Sequence, residues 1–243
     1  MDQSKTVNQL VLVAYYSQSI EAVSRLVEDF EKRSRISIDA VIVVDNGGGI
    51  AQADHSGRFK IVAGDNEFWE FSGWIAGLDH ADPSAPGILV LLNDSYKKNW
   101  SIKSPGRGVI SKMARCAAGG HIAGWLDNFS RFSRRPNSRL IVSDNSLRDA
   151  LRESIRGSVR QYQSRLRGGE PLFDKRAERI LERWMRSQHG RWTGTSAKTR
   201  WARIFIEHHV FDGVAPGNLI FYPSTWLGSQ IYGVTRKLVG ERR

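Results

Sequence analysis

The sequence predicts an α/β protein: a mainly parallel sheet flanked by helices, followed by a basic, mostly helical C-terminal portion. Three observations lead there. Four strand-length runs of aliphatic and β-branched residues recur within the first hundred positions, at 9–15, 38–44, 59–63 and 87–92. Each is continuously apolar instead of alternating, the pattern of strands covered on both faces and joined by helical crossovers. Beyond residue 145 the periodicity turns helical, and arginine recurs once per turn.

In chain order, 9–15 (QLVLVAY) reads as a buried strand bounded by polar residues. A helix over 19–34 follows, with Ile20, Val23, Leu26, Val27 and Phe30 at helical spacing and Ser17 or Ser19 as its N-cap. Residues 38–44 (IDAVIVV) form a second strand, closed by Asp45-Asn46-Gly47-Gly48-Gly49. A short third strand at 59–63 (FKIVA) ends at Gly64-Asp65-Asn66. An aromatic-rich helix over 68–80 precedes a fourth strand at 87–92 (GILVLL), which ends at Asn93-Asp94-Ser95. Residues 119–126 and 139–143 read as further short strands. A strong helix spans 146–166, with Leu147, Leu151, Ile155, Val159 and Leu166 on one side and Arg148, Arg152, Arg156 and Arg160 beside them. After Gly168-Gly169 and Pro171, a second basic helix covers roughly 174–188 and sets Ile180, Leu181, Trp184 and Met185 against Arg176, Arg179, Arg183 and Arg186. Residues 189–199 read as a loop, and a third helix carries Trp201, Ile204, Phe205 and His208. The tail at 218–233 is aromatic and apolar. The expected division is a core at 1–145 and a basic helical portion at 146–243, folded as one compact unit.

Composition narrows the setting. The chain has 243 residues, 40% of them hydrophobic, enough for one good-sized core. Mean hydropathy is −0.40, and no apolar run approaches the roughly 20 residues of a membrane span. The N-terminus lacks a basic stretch followed by a long apolar block, so no secretory leader is expected. The single cysteine, Cys116, cannot form an intrachain disulfide, which favours a reducing compartment. A cytoplasmic location, at the inner face of the plasma membrane, is expected. Among Ala114, Arg115, Ala117 and Ala118, Cys116 reads as a small buried residue. The net charge of +11 is unevenly spread. Residues 1–100 hold 9 Lys+Arg against 14 Asp+Glu, a net of −5, and residues 101–243 hold 27 against 11, a net of +16. Such a half attracts a polyanion: a pyrophosphate, an acidic membrane or a nucleic acid.

In mainly parallel sheets, ligands bind outside the carboxyl ends of the strands. There this chain places Asp45, Asn46, Asp65, Asn66, Asn93 and Asp94, all expected along one edge. A carboxylate at the end of a buried strand can accept from a base or ribose hydroxyl. A second one in the same cleft can hold a divalent cation against a diphosphate, because Mg²⁺ and Mn²⁺ take few oxygens from protein and the rest from phosphate and water.

The order VLVAYYSQS, AVIVVDNGG, VAGDNEFWEFSGWIAGLDHA and ILVLLNDSY resembles family-2-like glycosyltransferases of the bacterial polysaccharide-assembling type. The resemblance covers roughly residues 9–100 and runs more loosely to 148. RPNSRLIVSDNSLRDAL and RIFIEHHVFDG resemble the strand-then-helix and the late Glu-containing helix of those enzymes. The resemblance implies a GT-A-type sheet. It implies transfer of a sugar from a nucleoside-diphosphate sugar, of UDP, GDP or dTDP type, to a hydroxyl of a growing envelope polysaccharide or lipid-linked glycan. It further implies inversion and Mn²⁺ or Mg²⁺ as cofactor. By position, Ala14, Tyr15 and Tyr16 would flank the base and Asp45 and Asn46 would bind base or ribose. Asp65, Asn66 and Asn93 would lie near the nucleotide, and Asp94 would ligate the metal. The family's Asp-X-Asp place reads Asn93-Asp94-Ser95 and offers one carboxylate. A carboxylate then takes the proton of the attacking hydroxyl, with cations stabilising the departing diphosphate. Glu207, followed by two histidines, is the first candidate for that base, Asp144 the second and Asp127 the third.

Other chemistries fit less well. Gly47-Gly48-Gly49 lacks both phosphate-loop patterns and reads as a turn. His208 and His209 point about 100° apart on a helix and have no second His/Cys cluster nearby in sequence, so zinc is not expected. A nucleotidyltransferase would carry a Gly-rich cationic loop after the first strand, where this chain has Tyr15-Tyr16-Ser17-Gln18-Ser19. A nucleic-acid-binding module is the rival from another class, permitted by the basic half and its aromatics. No zinc finger, RNA-recognition signature or helix-turn-helix is visible, and the acidic sheet edge would repel phosphates, so nucleic acid is not the expected partner. Arginines beside an apolar stripe, with Trp184, Trp192 and Trp201 near, suit peripheral association with an anionic membrane. A solvated helix face is the alternative for the same residues.

Overall fold

The computed structural model describes residues 6–17, 19–50, 57–94, 106–130, 133–187 and 194–223. Seven strands, β1 (Gln9–Ala14), β2 (Ala40–Asp45), β3 (Phe59–Ala63), β4 (Ile88–Asn93), β5 (Ile122–Ser130), β6 (Ser133–Asp144) and β7 (Leu219–Pro223), form one sheet in the order β3-β2-β1-β4-β6-β5-β7. The pairs β1–β2, β2–β3, β1–β4 and β5–β7 are parallel. β6 runs antiparallel to both its neighbours. The α/β class with a mainly parallel sheet is therefore as the apolar runs predict, and β7 brings the C-terminal portion into the same sheet.

All six residues of β1 are buried. Leu10, Leu12 and Ala14 point into one core, with α1 (Ile20–Ser34) and α3 (Gly106–Ala117). Val11 and Val13 point into the other, with α2 (Glu70–His80), α4 (Arg148–Gly168) and α6 (Gly194–His209). This two-sided burial is why the strand reads as a continuous apolar run. Each fully buried Leu or Val side chain contributes about 1.5–3 kcal/mol. α5 (Lys175–Ser187) adds no described residue to either core. Ser19 caps α1 as expected, accepting from Ala22 N–H at 3.3 Å.

Two glycines set the approach of α2. A Cβ at Gly77 would come within 2.2 Å of Val11 Cγ1, and one at Gly73 within 2.8 Å of Val13 Cγ2. The helix therefore lies directly on β1. Its N-terminal end, at Glu70, points to the carboxyl edge of the sheet.

Several elements differ from the sequence expectation. β5 and β6 are 9 and 12 residues long, longer than the apolar stretches at 119–126 and 139–143, because mutual antiparallel pairing continues past the apolar core. α3 was not anticipated: its start, Gly106-Arg107-Gly108, conceals the helical spacing of Val109, Ile110, Met113 and Ala117, all buried. α6 begins at Gly194, inside the expected loop. Of the apolar tail, Asn218 ends a 3₁₀ turn, residues 219–223 form β7, and 224–233 lie outside the described residues. Cys116 is half-buried, with Sγ 2.8 Å from Tyr222 Oη.

The arginine ladder of α4 is largely paired. Arg148 is buried. Arg152 and Arg156 each reach Asp79 of α2 at 2.9 Å, and Arg156 and Arg160 reach Glu153 at 2.9 and 3.2 Å. The hydrogen bond from Arg156 holds the Glu153 carboxyl below its ordinary value. These four cations stitch α4 to α2 and to itself. Among the described residues, no helix is long and apolar enough to cross a membrane.

Candidate functional site

β1 to β4 are mutually parallel, so their carboxyl ends share one edge. From β1 the chain order proceeds to β2 and β3 on one side and to β4 on the other. That reversal is a topological switch point, where α/β sheets form a ligand crevice. Asp94 follows β4 at this point, anchored by its N–H to Val13 O at 3.1 Å. Its Oδ2 accepts from three consecutive backbone N–H groups of the loop after β1: Tyr15 at 2.9 Å, Tyr16 at 2.5 Å and Ser17 at 2.8 Å. Its other oxygen, Oδ1, is buried with no hydrogen-bond partner among the described residues. One carboxylate oxygen thus fixes the loop, and the other has no such task among the described residues.

Around it lies a buried polar cluster. Asn46, only 9% exposed, donates from Nδ2 to Trp69 O at 2.9 Å, and its Oδ1 has no partner among the described residues. The Tyr15 hydroxyl is likewise buried, with no partner at full hydrogen-bond geometry among the described residues, and the Asn46 amide is close enough to act on it. Burial, reinforced by the Glu70 carboxylate, holds this phenol protonated well above the usual tyrosine range. Glu70, at the start of α2, is 0% exposed and receives Arg203 of α6 at 2.8 Å on Oε1 and 2.6 Å on Oε2. Burial pulls the Arg203 guanidinium down, but Glu70 against it and Glu207 nearby hold it above its ordinary value. The guanidinium also sits 5.8 Å from the Trp69 ring centre. Trp69 has φ 54 and ψ −131, a region a bulky residue occupies at a cost. Such outliers persist where surrounding contacts over-determine them, and functional sites are where they gather.

The expected site residues divide into those the fold brings together and those it does not. Tyr15, Asn46, Asp94 and Glu207 belong to the cluster; Glu207 is buried and four residues along α6 from Arg203. Tyr16 is 66% exposed, its ring centre 6.3 Å from that of Tyr15. Asn93 is buried beside Asp94 at the end of β4. Ala14 has its side chain in the core, and its carbonyl accepts from Asn46 and Gly47 N–H. Asp45 turns inward on its own loop, Oδ1 accepting from Gly47 and Gly48 and Oδ2 from Ile50, so it shapes the turn after β2. Asp65 and Asn66 are exposed beyond β3, two strands from β1, with Asp65 accepting from Glu67 N–H at 2.9 Å. Asp144 is excluded from the site. It pairs in register with Ile88, at the opposite end of β4 and about 17 Å from Asn93, and its Oδ1 accepts from Ser146 N–H. Asp127 is on β5, with its side chain outside the description. Glu70, Trp69 and Arg203 were not anticipated. The available signals were a lone carboxylate inside the aromatic run Phe68-Trp69-Glu70-Phe71 and an arginine four residues before Glu207.

The donor set fits a divalent cation only in part. No group of three or more His, Cys, Asp or Glu side chains among the described residues could enclose a metal. One fixed carboxylate oxygen suits an ion shared with a phosphate-bearing ligand, as Mg²⁺ commonly is.

Gly64 makes the position of Asn46 possible. A Cβ there would lie 1.7 Å from Asn46 Oδ1. Gly64→Ala is therefore expected to swing the Asn46 amide out of the crevice. Because a core-lining group is forced to move, the cost should be about 1–3 kcal/mol. Ligand-induced stabilisation should fall at the same time. Urea unfolding with and without ligand checks both effects, and an unchanged ligand response would remove Asn46 from the site.

No family model and no curated protein matches the chain. Among solved structures it is similar to two of Rv0371c from Mycobacterium tuberculosis H37Rv. One covers 60% of this chain and 75% of that chain at 11% identity and a TM-score of 0.37. The other, a complex with manganese, covers 66% and 84% at 11% identity and a TM-score of 0.39.

Proposed function

We propose that this chain is a nucleotide-sugar-dependent glycosyltransferase whose donor site is the crevice at the carboxyl ends of β1, β2 and β4. The observation that carries the proposal is the pair of buried oxygens there with no hydrogen-bond partner among the described residues, Asp94 Oδ1 and Asn46 Oδ1, beside the buried Tyr15 hydroxyl. The first two only accept hydrogen bonds. Leaving buried acceptors unsatisfied costs about 1–3 kcal/mol each, so the matching ligand brings donors or a cation. A ribose, a base edge and a metal-bound diphosphate present that combination. Asp94 Oδ1 is the oxygen that would hold Mn²⁺ or Mg²⁺. When bound, the ion supplies positive charge against the diphosphate. Glu207 takes the proton of the acceptor hydroxyl, a contribution of about 10²–10⁴-fold. The acceptor is a growing envelope polysaccharide or a lipid-linked glycan. The resemblance of residues 9–100 to family-2-like glycosyltransferases supports the same reading.

Thermal unfolding with UDP, GDP, dTDP and their sugars, each with and without Mn²⁺, tests it. One base should stabilise the protein by about 2.7 kcal/mol at 100 times its Kd, and more strongly with Mn²⁺. Indifference to every nucleotide would sink the proposal.

A further inference from the structure

We infer that the corner formed by the end of α4 and the outer face of α5 is a docking surface for an anionic lipid bilayer. This surface is distinct from the crevice, and the inference does not rest on the transferase reading.

Two groups of cations in the second half differ in their partners among the described residues. Those of the α4 ladder are served by Asp79, Asp149 and Glu153. Those of the corner are not. Lys175, Arg179 and Arg183 are exposed, and none has a carboxylate partner among the described residues. They stand at i, i+4 and i+8, so they form one row with a step of about 6 Å. Ala177, Ile180 and Leu181 lie on the other side of α5 and are half-buried, so the row points outward. Where α4 ends, exposed Arg167 is also without a carboxylate among the described residues and donates to Gln163 O, while half-buried Arg165 donates to Pro171 O and lies 5.5 Å from the Phe205 ring centre. Between these two arginines Leu166 is 63% exposed, one of two large apolar side chains so exposed among the described residues. The other is Tyr16, at the crevice.

Four exposed cations, Arg167, Lys175, Arg179 and Arg183, have no carboxylate partner among the described residues and attract any polyanion, and Leu166 selects among them. A leucine held out beside exposed Arg167 gains nothing from a phosphate backbone in water. At a bilayer it enters the headgroup–acyl boundary while the exposed cations remain at the phosphates. Each basic residue near an anionic membrane strengthens binding about five-fold, so the α5 row should contribute on the order of a hundred-fold.

The test is co-sedimentation of the full chain with phosphatidylcholine vesicles, pure or containing about 30% phosphatidylglycerol, in low and high salt. The wild type should bind the anionic vesicles, lose them in high salt and ignore the neutral ones. The triple variant Lys175→Gln/Arg179→Gln/Arg183→Gln should bind about a hundred-fold more weakly. Leu166→Ser, which leaves the charge unchanged, should lose several-fold, because part of its buried apolar contact is gone. A control triple with the same change of charge on α1 and its cap, Arg25→Gln/Lys32→Gln/Arg35→Gln, should bind like wild type. Matching thermal melts verify that each variant is folded. Equal losses in the two triples would reduce the effect to net charge and overturn the inference. So would wild-type indifference to anionic vesicles, including the case in which the α5 triple instead abolishes binding to a DNA duplex, which would make the corner a nucleic-acid surface.

Discussion

Asp94→Ala should cost the fold about 3 kcal/mol and abolish nucleotide-dependent stabilisation, while Asp94→Asn should keep most of the fold's stability and still lose the Mn²⁺-enhanced response. The two effects separate because the two oxygens do different work. Oδ2 gathers the N–H groups of Tyr15, Tyr16 and Ser17. Hydrogen bonds to a charged group contribute about 1.5–3 kcal/mol each, but Tyr16 is exposed, so water recovers part of the loss in the alanine variant. The asparagine variant keeps an acceptor for the same three donors and loses only the assistance of the charge, at a cost of about 1 kcal/mol. It cannot offer a carboxylate oxygen to a cation. Urea unfolding gives the first quantity, and the nucleotide panel with and without Mn²⁺ gives the second. If Asp94→Asn responds to Mn²⁺ and nucleotide as the wild type does, Asp94 is a loop anchor and the metal role assigned to it is withdrawn.

The limits of reading this site from sequence follow from the same geometry. The strand ends were legible because β1, β2 and β4 are buried on both faces, and a two-sided strand writes its length as an apolar run. So Asp45, Asn46 and Asp94 could be placed at one edge from residue order alone. What each does there could not, because it depends on partners far away in the chain. Asp94 meets residues 77 to 79 positions earlier, and Glu70 meets Arg203 across 133 positions. Asp45 is the local counterexample, since its oxygens are taken up within five residues by a turn that the three glycines announce. Asp144 shows the other missing quantity, strand direction. It ends an apolar run just as Asp94 ends another, yet β6 is antiparallel to β4 and delivers it to the opposite edge. An apolar run carries no arrow; the pairing supplies it. The same holds for the α4 arginines, whose regular spacing suggested a free face until Asp79 of α2 was found across from two of them.

Arg203→Met should be the most destabilising change at the crevice, at about 3–5 kcal/mol, and the double variant Glu70→Met/Arg203→Met should recover much of that loss. Glu70 has no exposed surface, and both its oxygens face the same guanidinium nitrogen. Removing the arginine takes away the guanidinium that both oxygens of a buried carboxylate face, and breaking a buried pair by deleting one member is costly. The reverse deletion, Glu70→Met, should cost less. The Arg203 side chain is 30% exposed and lies near Glu207, so its charge has water and a second carboxylate to turn to. Replacing both members by apolar side chains removes the buried charge along with the attraction, and such exchanges are often close to neutral. The four proteins form a double-mutant cycle readable by urea unfolding, with the coupling appearing as recovery in the double variant. A further consequence concerns α6. Glu70 and Arg203 tie the helix that carries Glu207 to the N-terminal end of α2. The double variant should therefore fold yet position Glu207 less well, lowering turnover more than nucleotide affinity. An Arg203→Met cost below about 1 kcal/mol would mean that groups other than Arg203 hold Glu70 in solution, and the pair would no longer account for the placement of α6.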